Sequence, residues 1–284
     1  MTPRALFYLL AANVIGGTSY VAGAYALRGL SPVGLAFWRL AIGALFFLPF
    51  AVSGVRRARP SPRDWLGMAG VGVLGLAAPL LIGNLGLRLS TATNAALLIG
   101  AEPLSVVILS ALFLGEALTA FKAAAIGCGI AGSALIVMQG PPWSAPLTPH
   151  WRGDLLLLTH GFFFALYSVI GKPVLRRVDQ LTFSAVSTLF ALPVLGLAAW
   201  LEGFALPTRS FGALAYLAIV VTIGGVLTWN AALQLVPASV LANFIFMQPL
   251  IGVALGMLLQ HDAFTAWSAS GGALILAGVY LAAR

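Results

Sequence analysis

Residues 91–113 read TATNAALLIGAEPLSVVILSALF, and residues 237–259 read PASVLANFIFMQPLIGVALGMLL. Each stretch is long enough to cross a bilayer as one helix, for which about 20 apolar residues are needed. The two stretches also match one another, because Pro103 aligns with Pro249 at an offset of 146 residues. A membrane-spanning segment that occurs twice at a fixed offset predicts a duplicated membrane protein.

The composition of the whole chain indicates a lipid environment. Of the 284 residues, 61% are hydrophobic and 8% are charged, whereas soluble globular chains are about 45–50% apolar and about 25% charged. This excludes an ordinary soluble enzyme, a disordered chain and a secreted domain held by disulfides, since Cys128 is the single cysteine. The net charge of +8 is typical of loops that face the cytoplasm and anionic headgroups, and we expect no nucleic-acid partner.

The sequence predicts no metal site and no cofactor. His150, His160 and His261 lie far apart and form no HExxH-type motif. Cys128 lies in a run rich in glycine and alanine, which is typical of a buried packing residue.

Ten apolar segments divide the chain, and we predict an all-α integral membrane protein with ten transmembrane helices. A signal peptide is excluded for the first segment because its apolar run is too long, contains Asn13 and Tyr20, and is followed directly by further segments. The ten segments are at about residues 5–27, 33–52, 65–87, 91–113, 119–138, 153–172, 180–201, 211–234, 237–259 and 265–283.

The distribution of lysine and arginine predicts the orientation, because cytoplasmic loops are enriched in both. With the N-terminus in the cytoplasm, the inside receives Arg4, Arg56, Arg57, Arg59, Arg63, Lys122, Lys172, Arg176, Arg177 and Arg284. The outside receives Arg28, Arg88, Arg152 and Arg209. We therefore expect a multi-pass protein of the cell inner (plasma) membrane, with both termini in the cytoplasm.

The duplication extends over most of the second half of each repeat. About a third of the positions in 87–135 are identical to those in 233–281, and the acids Glu116 and Asp262 are in register. The predicted organisation is a first five-helix repeat at 1–139, a linker loop at 140–152 and a second repeat at 153–284. Because five is odd, the second repeat enters the membrane in the opposite direction, an inverted-topology arrangement found in many secondary transporters.

Three stretches also carry a family resemblance. Residues 30–39 (LSPVGLAFWR), the run from Thr93 through Glu102-Pro103 to Glu116, and the glycine-rich residues 127–132 resemble the EamA branch of the drug/metabolite transporter superfamily. The chain is most similar to bacterial exporters of aromatic amino acids. The resemblance implies ten helices, cytoplasmic termini, a central cavity between the halves and efflux of small metabolites. Gln248 departs from the pattern, since the family often has glutamate before this proline.

The first and sixth segments carry matching polar and aromatic stripes. Asn13 and Tyr20 lie seven residues apart on one helix face, and His160 and Tyr167 repeat the pattern at an offset of 147, with Phe163 on the same stripe. Aromatic rings and polar groups together predict a substrate cavity, because a side chain packs on the rings while the polar groups anchor a polar end. Helix packing is the alternative.

Charged and polar residues in other segments extend the candidate cavity. Glu102 is the acid deepest in a predicted span, where it is a candidate for binding an amino group, relaying protons or pairing with Arg39, or for a structural role beside Pro103. Further cavity candidates are Asn94, Thr222, Trp229 and Asn243. Trp229 alternatively belongs at the headgroup level.

These observations predict a secondary exporter of amino acids, aromatic and other neutral ones favoured, and of related small metabolites, that works by alternating access. Its partners would be a small-molecule substrate and the lipid bilayer, and the sequence leaves the oligomeric state open. The alternative is an exporter of cationic or aromatic drugs, nucleobases or other metabolites. An intramembrane enzyme is disfavoured because the sequence offers no nucleophile–base pair, metal cluster or phosphate loop, and a channel is disfavoured by the inverted repeat.

Overall fold

The computed structural model describes residues 2–114, 119–139, 149–204, 209–236, 244–245 and 247–282. All regular structure in these residues is helical. The helices are α1 (Pro3–Ala26), α2 (Pro32–Ala58), α3 (Pro62–Leu89), α4 (Ala92–Leu98, Ile99–Ala101 and Glu102–Leu114), α5 (Ala120–Met138), α6 (Trp151–Leu175), α7 (Gln180–Glu202), α8 (Phe211–Leu235), α9 (Met247–Gln260) and α10 (Ala266–Ala282). Most of the predicted linker, residues 140–148, and the start of the ninth predicted segment lie outside the described residues.

The first three helices begin with the same local chemistry. A serine or threonine side chain accepts a hydrogen bond from the first turn, and a proline follows it at the first helical position, as in Ser31-Pro32 and Ser61-Pro62. Helix α2 runs on to Ala58, beyond the predicted end at residue 52, and ends at Arg59, whose φ is 45°. Arg56 and Arg57 therefore continue the helix instead of lying in a loop, and Pro60 prevents further extension.

Six helices are long and apolar enough to cross a membrane by length and composition, namely α1, α2, α3, α6, α7 and α8. Shorter apolar helices lie within α5, α9 and α10. The surface suits lipid, because large apolar side chains such as Leu45 and Leu66 are 74% and 75% exposed. The predicted all-helical membrane fold is confirmed.

The helix contacts follow a reciprocal pattern. Helix α5 packs against α10, and α2 packs against α7. Helix α1 contacts α8 and α9, and α6 contacts α3 and α4. If each helix is replaced by the helix five positions away in chain order, the same set of contacting pairs is obtained. For example, the contact of α1 with α8 becomes that of α6 with α3.

Three of the described helices contain π-helical turns, namely Val71–Ala77 in α3, Leu217–Gly224 in α8 and Gly256–Gln260 in α9. The first residues of the turns in α3 and α8 differ by the same 146 positions as the sequence match, whereas the equivalent part of α4 is α-helical. In α4, a 3-10 turn at Ile99–Ala101 precedes Glu102 and Pro103. Such departures from α geometry are frequently found at functional sites in helical proteins.

Candidate functional site

A central cavity of about 170 Å³ lies among seven helices, α1, α2, α3, α4, α6, α8 and α9. It therefore draws its walls from both the N-terminal and the C-terminal part of the chain. Its walls are mostly apolar, with a few polar groups, as is typical of sites for small molecules.

Seven of the residues singled out in the sequence line this central cavity: Tyr20, Arg39, Glu102, His160, Tyr167, Thr222 and Trp229. Asn13, Asn94 and Phe163 lie elsewhere, and Asn243 lies outside the described residues. Phe163 is placed against the ring of Phe162, and its neighbour Phe164 faces the cavity instead. One residue along a helix is a rotation of about 100°, which is enough to change the face.

The two charged residues in the cavity wall are not paired with one another. Arg39 donates from Nε to Thr222 Oγ1 at 2.6 Å, which links α2 to α8. Glu102 is buried, and its Oε1 has no hydrogen-bond partner among the described residues. The cavity wall thus holds a guanidinium group and a carboxyl group that do not bond to each other.

Aromatic rings from α6 and α8 form one wall. Phe164 and Tyr167 are stacked, with centroids 5.8 Å apart and planes 9° apart. Trp229 meets Phe164 edge to face at 6.0 Å. The indole Nε1 of Trp229 is buried and has no hydrogen-bond partner in the part of the chain that the structure describes. This wall offers an apolar surface made of aromatic rings. It also offers one hydrogen-bond donor, the indole N–H of Trp229, that no described residue accepts.

Tyr167 is also part of the protein core. Only 2% of it is exposed, and its ring meets Phe183 edge to face at 5.9 Å. Its hydroxyl donates to Asn230 Oδ1 at 2.9 Å, and Asn230 Nδ2 donates in turn to Ser184 Oγ at 2.9 Å. Tyr20, the equivalent residue on α1, is only partly buried. The two matched tyrosines therefore have different surroundings. The sequence predicts Tyr167 as a cavity residue, and in the structure it also packs in the protein core.

His160 connects α6 to α3 at the cavity edge. Its Nδ1 lies 2.8 Å from the carbonyl oxygen of Pro79, a carbonyl of α3. The ring can approach because Gly83 has no side chain: a Cβ there would lie 2.6 Å from His160 Nδ1. His160 is thus held in one orientation, with its ring beside Phe164 at a centroid distance of 6.1 Å.

Asn13 does not line the cavity but bonds Gln248, a residue that does. It is fully buried, donates to Leu9 O at 2.7 Å, and accepts from Gln248 Nε2 at 3.0 Å. Gln248 itself lines the cavity, and its amide lies against Gly16, where a Cβ would be 2.7 Å away. Sequence reasoning noted Gln248 only as a departure from a family pattern. The signal that points to it is its alignment with Glu102 at the repeat offset.

Asn94 belongs to a second buried polar cluster at the junction of α3, α4 and α6. Its Nδ2 donates to both carboxylate oxygens of Asp154, at 3.2 and 3.3 Å, and Ser90 Oγ donates to the same carboxylate. Asp154 is fully buried. The sequence did not single it out because it lies at the edge of a predicted span, where an acid is ordinarily solvated.

No group of three or more potential metal-ligating side chains occurs within the described ranges. The side chains that line the cavity include an arginine, a glutamate, aromatic rings and hydrogen-bonding groups.

Comparison with known proteins gives the family. The EamA-like transporter family model matches residues 3–138 and again residues 151–284. An uncharacterized transporter from Archaeoglobus fulgidus is 28% identical over 290 residues, covering 99% of this chain and 98% of its own. A probable terminal-alkyne amino-acid exporter from Streptantibioticus cattleyicolor is 27% identical over 286 residues, covering 99% of this chain and 94% of its own.

A solved crystal structure has the same fold. Its TM-score to this chain is 0.69 at 21% sequence identity, and the match covers 99% of this chain and 97% of that one. With two family matches that together extend over nearly the whole chain, the protein belongs to the EamA-like transporter family, and it is a multi-pass membrane transporter and not an enzyme.

Proposed function

We propose that this transporter is a secondary exporter of amino acids, with aromatic and other neutral ones favoured. The observation that carries the proposal is the composition of the central cavity. Arg39 and Glu102 supply opposite charges that are not paired with each other, and Phe164, Tyr167 and Trp229 supply an aromatic surface. An amino acid carries a carboxylate, an ammonium and a side chain, which match these three features.

The name of one relative supports the same substrate class. The protein from Streptantibioticus cattleyicolor is called a probable terminal-alkyne amino-acid exporter, and it aligns with this chain along nearly its full length. The name of this relative therefore supports an amino-acid substrate in the proposal.

Alternating access follows from the proposed architecture of ten membrane spans in two inverted repeats, 1–139 and 153–284. Three observations support it: the two family matches, the exchange pattern of the helix contacts and the π-helical turns at the repeat offset. Asn84 and Asn230, which align at that offset, each donate from Nδ2 to the preceding helix, to Pro32 O at 3.1 Å and to Ser184 Oγ at 2.9 Å. Two similar halves of opposite orientation can exchange conformations and so open the cavity to either side.

The proposed location is the inner membrane, with both termini in the cytoplasm, on the strength of the Lys/Arg bias. The test begins with Cys128→Ala and adds single cysteines at Arg59 or Arg152. An impermeant thiol reagent applied from outside should label the second position and not the first. The reverse labelling would overturn the orientation and leave the substrate proposal intact.

The substrate proposal is tested with purified protein in liposomes. We expect saturable uptake of labelled phenylalanine that is accelerated by unlabelled phenylalanine on the other side, the behaviour of a carrier. Threonine should also exchange, whereas uracil and tetraphenylphosphonium should neither exchange nor compete. Protein-free liposomes provide the control. Exchange of uracil or tetraphenylphosphonium without phenylalanine would overturn the amino-acid assignment, and non-saturating flux would indicate a channel.

A further inference from the structure

Arg39 and Glu102 come from one family match, and the three rings of the wall formed by α6 and α8 come from the other. Arg39 on α2 and Glu102 on α4 lie in the first match, residues 3–138. Phe164 and Tyr167 on α6 and Trp229 on α8 lie in the second, residues 151–284. A ligand that contacts both sets therefore bridges the two halves of the protein.

The polar groups that lack partners define what such a ligand must offer. Among the described residues, Glu102 Oε1 is an acceptor without a donor, and Trp229 Nε1 is a donor without an acceptor. Arg39 uses Nε for Thr222, and its two terminal nitrogens have no acceptor among the residues that the structure describes. Since unpaired buried polar groups are costly, a ligand that supplies a cationic donor and an anionic acceptor gains from both.

We propose that Arg39 and Glu102 form a main-chain subsite for the amino acid, and that the three rings form its side-chain subsite. Arg39 binds the α-carboxylate through its terminal nitrogens, whose planar geometry matches a carboxylate. Glu102 accepts from the α-ammonium. The side chain lies against Phe164, Tyr167 and Trp229. This inference rests on the proposed function and assigns the residues that carry it out.

The local backbone supports this arrangement at Glu102. Gly161 on α6 faces it, and a Cβ at Gly161 would lie 3.7 Å from Glu102 Cβ, so α6 passes close to the carboxylate-bearing turn of α4. Phe164 follows on the same helix, one turn away. The ammonium subsite on α4 and the aromatic surface on α6 are thus adjacent, as a single small amino acid requires.

The test compares three probes of nearly the same size. L-phenylalanine has both charges, 2-phenylethylamine lacks the carboxylate and 3-phenylpropionate lacks the ammonium. Binding of each to purified protein is measured by calorimetry for the wild type, Arg39→Gln and Glu102→Gln. Because hydrogen bonds to charged groups contribute about 10- to 100-fold in affinity, we expect the wild type to prefer phenylalanine over both analogues by a factor in that range.

The two variants should give a crossed pattern. In Arg39→Gln the preference for phenylalanine over phenylethylamine should fall towards unity, while the preference over phenylpropionate remains. In Glu102→Gln the second preference should fall and the first should remain. Arg152→Gln, a change at an exposed position outside the cavity, is the matched control and should leave both preferences unaltered.

Each other outcome counts against one of the two proposals. If a variant weakens all three probes equally, the residue does not read the charge it is assigned, and the subsites are refuted. If the wild type binds phenylalanine no better than its analogues, the subsites are refuted although an amino acid is still bound. If the wild type binds no phenylalanine, the proposed function fails and the subsites with it. Should Arg39→Gln not fold, Arg39→Lys replaces it, and its phenylalanine over phenylethylamine preference should fall only partly.

Discussion

Replacing Gly132 by alanine tests how closely α5 and α10 pack. A Cβ at Gly132 would lie 2.5 Å from the carbonyl oxygen of Gly271 and 3.0 Å from the amide nitrogen of Ile275. Both obstacles are backbone atoms of α10, which cannot rotate away as a side chain can. The helices must therefore separate to admit the methyl group.

Gly127 provides a matched control on the same helix. No atom of the described residues lies within 4 Å of the Cβ that would be added there. Alanine stabilises a helix interior by about 1 kcal/mol relative to glycine, and this gain applies at both positions. Overpacking a tight contact costs about 1–3 kcal/mol. We therefore expect Gly132→Ala to be less stable than Gly127→Ala by about 1–3 kcal/mol, because the helix-propensity gain cancels in the comparison.

The measurement is denaturant unfolding of the purified variants in detergent, followed by tryptophan fluorescence. Gly271→Ala should reproduce the loss from the opposite side, since its Cβ would lie 2.5 Å from Gly132 O. The double variant should lose less than the sum of the two, because both substitutions open the same contact. Equal stability of Gly132→Ala and Gly127→Ala would refute the close packing of these helices.

Three further substitutions probe two hydrogen-bonded pairs by the same unfolding measurement. Asp64→Ala should lower the free energy of unfolding by about 1–3 kcal/mol, because the Asp64 side chain is 5% exposed and also caps α3 through Ser61. Arg177→Ala should lower it by about 0–1 kcal/mol, because the Arg177 side chain is 55% exposed. Equal losses would contradict this. Tyr167→Phe should cost about 1–3 kcal/mol because Asn230 Oδ1 loses its donor, and the ratio of phenylalanine to threonine transport should remain, since the ring is kept. A changed ratio at unchanged stability would assign the hydroxyl to the substrate instead.

The helical membrane fold was predictable because it depends on composition and period. The sequence shows these features directly, without any knowledge of packing: long apolar runs, proline after a capping serine, and a match at a fixed offset. The end of α2 was not predictable in the same way. Arginines at the membrane edge are compatible with both a loop and a further helical turn, and only the conformation at Arg59 separates the two.

The cavity was predictable by helix but not by side chain. Tyr20, His160 and Trp229 reach it, whereas two of the three asparagines chosen as cavity candidates, Asn13 and Asn94, bind other helices. A polar residue in an apolar helix must face inward, but inward includes both a cavity and a neighbouring helix. The sequence cannot distinguish these, because the partner that satisfies the side chain is distant in the chain.

Glu102 and Gln248 make the two repeats unequal at one aligned position of the cavity wall. The two residues align at the repeat offset, and each directly precedes a proline in the sequence. Both line the cavity. Gln248 is satisfied within the protein, since it donates to Asn13 at 3.0 Å, whereas Glu102 Oε1 has no partner among the described residues. A neutral amide that is already bonded holds two helices together in any state of the substrate. An unpaired carboxylate is stabilised when a cation arrives. This inequality is why the proposed ammonium subsite lies at Glu102 and not at the aligned Gln248.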